Sequence, residues 1–100
     1  MSLEYEFDAP LWEWQARRVD RWTFVSVPPD LSDEIDERAG AFAHGFGSLR
    51  VEVTVGSTVW WTSIFPGTDS YSLPVKKAVR AAEGLVTGQT VRVHLRLRDV

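Results

Sequence analysis

One hundred residues bound the chain to a single domain, since domains of about 100–150 residues are built around one hydrophobic core. With 44% hydrophobic and 12% aromatic residues it has the composition of a folded chain, and a net charge of -3 supplies no positive field to gather nucleic acid or an anionic membrane. No cysteine is present, which removes disulfides, thiolate zinc centres and cysteine nucleophiles together and suits a reducing, cytoplasmic setting.

The chain starts acidic and alternating, unlike a signal peptide, and no apolar run approaches the ~18 residues of a membrane span. Leu3, Tyr5, Phe7, Ala9 and Leu11 alternate with Glu4, Glu6 and Asp8, the period of a strand with one buried face. Trp22 to Val27 is aromatic and β-branched and stops at Pro28-Pro29, which cannot continue a ladder. Asp30 to Arg38 reads as a short helix with Asp30 or Ser32 as its cap, early acids and Gly40 as its stop.

Ser48 to Val55 is the third strand, with Val51, Val53 and Val55 on one face; Gly56-Ser57 makes a tight hairpin to Val59–Phe65. That fourth strand is apolar on both faces, so something is expected to cover the side that carries Val59, Trp61 and Phe65 or the side that carries Trp60 and Ile64. After Pro66-Gly67, Tyr71 to Leu73 is a brief strand and Pro74 suits the first position of a helix running to Glu83. Its expected apolar stripe is Val75, Ala78, Val79 and Ala82, with Gly84 as a left-handed C-cap. Val91, Val93, Leu95 and Leu97, alternating with Arg92, His94, Arg96 and Arg98, make the last strand.

Two strand–Pro–helix–strand units stand in tandem, one around Pro28 and one around Pro74, the first longer by an insertion around Ala39–Gly47. The expected fold is mostly β: one domain over residues 1–100, a small closed barrel of six or seven strands with one or two short helices.

Phe46 to Val55, then Trp61 to Pro66, then Tyr71 to Arg80 with Gly84-Leu85 and Gly88, resemble the bacterial domain of unknown function family 1905, and Phe7, Trp22 to Val25 and Pro28 fit the same pattern. The resemblance spans nearly the whole chain. It implies a double-split β-barrel related to the swapped-hairpin barrels of AbrB- and MazE-like proteins, in which Pro74, Arg80, Gly84 and Gly88 are similar to a recurrent proline, arginine and glycine pattern. It implies no established activity.

Lys76, Lys77 and Arg80 crowd the start of the second helix, where cations oppose the helix dipole. They read either as an anion site or as a solvated face neutralised by acids such as Asp69. Of the tryptophans, Trp22 and one of Trp60 and Trp61 are expected in the core, and the other of that pair under cover from the Trp12/Trp14 segment, a helix, a ligand or another subunit. Arg92, His94, Arg96 and Arg98 form a basic row that reads as a phosphate track or, if the first strand closes the barrel, as partners for Glu4, Glu6 and Asp8.

His44 lies in Phe42–Gly47, a plain turn or the lip of a pocket, and neither it nor His94 has carboxylates at metal-ligand spacing. Ser63 with Lys77 or His44 lacks the surroundings of an activated nucleophile. The resulting expectation is a non-catalytic binding or interaction domain without metal or cofactor, taking a small anionic ligand at Lys76, Lys77 and Arg80, with Trp60, Trp61 and His44 as further candidate contacts. The alternatives are a nucleic-acid or toxin-partner module by AbrB-like analogy, with nucleic acid disfavoured by the charge, and an unrecognised enzyme. Monomer and homodimer both stay open.

Overall fold

The alternation that begins at Leu3 builds a strand longer than the sequence suggests. In the computed structural model, which describes residues 3–15 and 21–98, β1 runs Glu4–Gln15. Pro10, which has no N–H to give a ladder, sits where β1 leaves one neighbour for another. Up to Pro10 it pairs with β6 (Thr90–Leu97), and from Leu11 it pairs with β2 (Arg21–Ser26). The rest of the chain supplies β3 (Leu49–Val55), β4 (Thr58–Pro66) and β5 (Tyr71–Pro74), and every neighbouring pair is antiparallel. The strands close in the order β1-β2-β5-β4-β3-β6, a six-stranded barrel with two short helices.

The tandem units have a geometric meaning. Exchanging β1 with β4, β2 with β5 and β3 with β6 leaves the set of pairings unchanged: β1–β2 becomes β4–β5, β1–β6 becomes β3–β4, and β2–β5 and β3–β6 map onto themselves. The chain is therefore two β-β-α-β halves related by a pseudo-twofold axis, and β2 meets β5, and β3 meets β6, across it.

Inward positions follow the two-residue period. Tyr5, Phe7, Val51, Val53, Val93 and Leu95 fill the barrel, while Glu4, Glu6, Arg92, His94 and Arg96 face outward from the same strands. The outward acids and bases meet as pairs: Arg92 reaches Glu6 at 2.8 Å and Asp8 at 3.2 Å, His94 reaches Glu4 at 3.2 Å, and Arg96 turns to Glu52 on β3 at 3.0 Å. Such exposed pairs contribute little to stability, but they occupy the basic row, leaving Arg98 with a different role described below.

Helix α1 (Pro29–Ala39) plugs one opening with Ile35 and Ala39. Its cap differs from expectation: Pro28 holds the N-cap position with Pro29 as the first helical residue, neither needing the N–H it lacks. Ser32 is buried instead, its Oγ donating to the Val27 carbonyl at 3.1 Å and accepting the Tyr71 N–H at 3.0 Å, which ties α1 to β5.

Helix α2 (Lys77–Glu83) is shorter than expected and starts later. Pro74 is the last residue of β5, where it ends the ladder rather than opening a helix, and Val75 still bonds to β2 through its N–H and the Thr23 carbonyl at 2.8 Å. Of the expected stripe, Val75 and Val79 are buried and Ala78 and Ala82 face solvent, because two turns resting on a barrel rim offer only one inward position per turn. Gly84 adopts the left-handed C-cap at φ 63°. The far end of α2 is anchored: the Glu83 carboxylate accepts hydrogen bonds from Thr58 Oγ1 and Ser57 Oγ in the β3–β4 turn. Gly56 suits that turn because its φ of 59° is one that other residues adopt only with strain, and a Cβ there would also push aside the Glu83 carboxylate, 2.0 Å away.

Candidate functional site: an aromatic and cationic cleft

The site follows from where β5 stops. β2 and β4 both neighbour β5, but β5 ends at Pro74 and the chain turns off through Lys76, which is extended (φ -71°, ψ 159°), into α2. Beyond that point a gap opens between β2 and β4. Trp22 and Thr23 of β2, Trp60, Trp61 and Thr62 of β4, and Pro74 to Lys77 with Arg80 enclose a cleft of about 400 Å³. Five of the six candidate residues, Lys76, Lys77, Arg80, Trp60 and Trp61, line it together. His44 stays outside, exposed on the loop between α1 and β3.

The two faces of β4 separate the tryptophan pair. Trp60 points inward and is buried, whereas Trp61 is 48% exposed beside the similarly exposed Val59 and Phe65. The cover expected for this face is partial: the Arg98 guanidinium lies 4.1 Å over the Trp61 ring, and Arg96 stands further off at 6.0 Å. Trp22 is a correction. Expected in the core, it is 54% exposed, because Thr23, Val25 and Val27 share the inward parity and Trp22 falls on the other. Trp12 stacks on Phe24 with ring centroids 5.0 Å apart and donates its Nε1–H to Ser26 Oγ at 2.9 Å, so it serves the outer surface of β1 and β2 and not Trp61.

The cations have no carboxylate beside them. Among the described residues none of Lys76, Lys77 and Arg80 forms an ion pair, and the lining of the cleft holds no acid. Asp69, expected as their neutraliser, lies instead on a second, shallower cleft of about 240 Å³ with Asp33 and Asp36. A helix of seven residues is too short for its N-terminus to make an anion site, so any attraction rests on the side chains.

Sequence reasoning missed the residue that sets this cleft apart. Thr23 is 4% exposed, and its Oγ1 meets no hydrogen-bond partner among the described residues; the Arg80 Nε–H beside the cleft is likewise buried and unpaired. Leaving a buried donor or acceptor unsatisfied costs about 1–3 kcal/mol. Thr23→Val, nearly isosteric, is therefore expected to stabilise the free domain by about 1 kcal/mol in urea unfolding. Unchanged or lowered stability would mean that the hydroxyl finds a partner in solution. The signal available in the sequence was parity, which put a hydroxyl at an inward position between the two valines and Trp22.

Other paper arrangements do not assemble. Ser63 faces a shallow pocket with Arg50, Thr62 and Arg98, away from Lys77 and His44. Among the described residues no three His, Asp or Glu side chains are grouped to hold a metal ion, and no helix is long and apolar enough to cross a membrane.

The second cleft carries a titration of its own. Buried Tyr71 donates its hydroxyl to Asp36 Oδ1 at 3.3 Å, and desolvation, reinforced by the Asp36 charge, pushes its pKa up to about 12 from 10.0. The folded state thus prefers the protonated phenol. Its contribution is complete below about pH 10 and is lost as pH rises toward about 12, so the urea midpoint should fall over that window. Tyr71→Phe should flatten the fall; an equal slope in both proteins would assign it elsewhere.

A closed, six-stranded barrel with two short helices and this spacing of motifs has a counterpart among sequence families. The family model described as a domain of unknown function, DUF1905, matches residues 7–95. The chain belongs to the DUF1905 family. The match covers all six strands in whole or in part, both helices and every residue of the cleft, so the site lies inside the family's own fold. No curated protein matches the sequence.

Proposed function

We propose that this DUF1905 chain is a non-catalytic binding domain whose cleft takes a small anionic ligand, held by Lys76, Lys77 and Arg80. One observation carries the reading: three cations that have no carboxylate partner among the described residues share a cleft with a buried hydroxyl that has no hydrogen-bond partner among them either. A solvated helix face would account for the exposed lysines. It gives no reason for Thr23 to keep a hydroxyl in the interior, whereas an anionic oxygen would turn that cost into a charge-assisted hydrogen bond.

The nucleic-acid alternative is the weaker one. The net charge is -3, and the one basic row on a strand is largely spent on Glu4, Glu6, Asp8 and Glu52. An enzyme would need an acid, base or nucleophile in the cleft, and its lining offers hydroxyls and cations without a base beside them. By its cysteine-free composition we assign the domain to a reducing compartment, the cytoplasm, and by its family resemblance to a bacterium.

The test is an NMR shift survey of the domain against phosphate, sulfate, acetate, citrate and nucleoside phosphates, with a low-salt DNA titration beside it. The reading expects saturable shifts at Thr23, Lys76, Lys77 and Arg80 with at least one anion and none with DNA. If no anion moves those amides, the cleft is not an anion site.

A further inference from the structure

We infer that the ligand class of this cleft is a planar aromatic ring bearing a phosphate dianion, an aryl phosphate or a nucleoside monophosphate. This rests on the anion-site reading above and goes beyond it by fixing both ends of the ligand.

The ring end comes from the walls. Trp22 and Trp61 are each about half exposed, sit on the outer parity of β2 and β4, and line the same cleft. β2 and β4 flank the single strand β5, so they run two strand spacings apart, roughly 10 Å. That spacing between backbones is of the order that admits one flat ring between two aromatic side chains, which attract at centroid separations of about 4.5–7 Å. The Arg98 guanidinium lies 4.1 Å over the Trp61 ring and lines the neighbouring shallow pocket with it, a contact that steadies the indole where it also lines the cleft. Pro74 adds a further apolar surface between the two strands.

The charge end comes from the base of the cleft. Lys76, Lys77 and Arg80 share the cleft with no carboxylate partner among the described residues, and a dianion offsets the repulsion of such a group more than a monocarboxylate can. Two further donors are unused: the Thr23 hydroxyl and the Arg80 Nε–H. Both atoms are shielded from solvent although their residues line the cleft, so a phosphate engages them only if the Thr23 and Arg80 side chains shift toward it. Phosphate has enough acceptor oxygens for the hydroxyl, the guanidinium and a lysine together, and Arg with phosphate is a favoured pairing. The cleft volume of about 400 Å³ falls at the small end of the range for small-molecule sites, which suits one ring and one phosphate.

The experiment titrates the whole domain with phenyl phosphate, adenosine 5′-monophosphate, phenol, adenosine, inorganic phosphate and benzoate, reading the indole N–H signals of Trp22 and Trp61 and the Arg80 Nε–H signal. The expected result is that at least one ring phosphate binds ten times or more tightly than its own dephosphorylated ring, than inorganic phosphate and than benzoate. Whether phenyl phosphate or the nucleotide binds tighter distinguishes the two sources. In Trp61→Ala the preference over inorganic phosphate should disappear, and in Thr23→Val affinity should fall about tenfold while the fold is retained.

Phenol or adenosine binding as tightly as its phosphate overturns the phosphate end, and inorganic phosphate binding as tightly as the ring phosphates overturns the ring end. Benzoate binding best overturns the dianion. In the last two cases the anion-site reading survives, whereas both readings fall if no anion, in this panel or the survey above, moves any of the three signals. Tighter binding of a short single-stranded oligonucleotide than of the nucleotide overturns the small-molecule form.

Discussion

Leu95→Ala is expected to remove about 2–5 kcal/mol from the stability of the domain. Leu95 is fully buried at the middle of β6, the strand that joins the two halves of the barrel on both of its edges. It stands opposite Tyr5 on β1 and Val53 on β3. Truncation there loses the transfer free energy of the side chain and leaves a cavity that three strands, locked by their ladders, cannot collapse to fill. A domain of this length commonly has about 5–15 kcal/mol in total, so the variant should lose a large fraction of it, with a fall in melting temperature of about 10–30 °C. Urea unfolding checks the value, and the slope should stay constant while the midpoint falls. Val59→Ser, on the outer face of β4, should change stability by less than about 0.5 kcal/mol; a loss at Leu95 no larger than at Val59 would contradict the inward parity of β6.

The largest expected effect on binding comes from reversing charge at the cleft. Lys76 and Lys77 are both exposed, so Lys76→Glu with Lys77→Glu should fold as the parent does. The pair of reversals changes the local charge by four units. A unit charge at about 4 Å in water is worth about 1 kcal/mol, and screening at physiological salt removes part of that, leaving about 2 kcal/mol against a monovalent anion, or roughly thirtyfold in affinity. Against a dianion the loss should be greater. Isothermal titration at two salt concentrations measures both the loss and its screening. An affinity within threefold of the parent would show that the lysines do not hold the ligand, and the reading would then rest on Arg80 and Thr23 alone.

How far the structure was legible in the sequence depends on the local contrast. β3 and β6 alternate apolar with polar residues, so their inward faces could be read directly, and the Gly56-Ser57 turn identifies β4 as the neighbour of β3. β2 lacks that contrast, because Trp22 and Phe24 are as apolar as Val25 and Val27, and Trp22 was assigned to the wrong side. Pro74 was ambiguous for a physical reason. Its fixed φ and missing N–H suit the first turn of a helix and the end of a strand equally, and only the bond from Val75 to Thr23 distinguishes them.

The candidate residues could be named from charge and aromaticity, yet their meeting in one cleft is a property of strand order, in which β2 and β4 flank a strand that ends early. No composition or spacing exposes that. Phe46 shows the same limit on a smaller scale: a bulky side chain at φ 61° and 99% exposed looks like an ordinary loop residue in the sequence.

The pseudo-twofold arrangement also governs how the protein must acquire its shape. Of the six seams in the barrel, only β1 with β2 and β4 with β5 join strands of the same half; the other four stitch one half to the other. Neither half can build a sheet of more than two strands by itself, and a lone hairpin is at best marginal in water. A nascent chain that has emerged only as far as Gly56 holds its first three strands without β4, β5 or β6 to pair with, so β3 must wait with both edges unmet. Ordering is then dominated by contacts between residues far apart in sequence, which places folding toward the millisecond-to-second end of small domains. It also makes unfolding a single concerted event in which the cleft and the core are lost together.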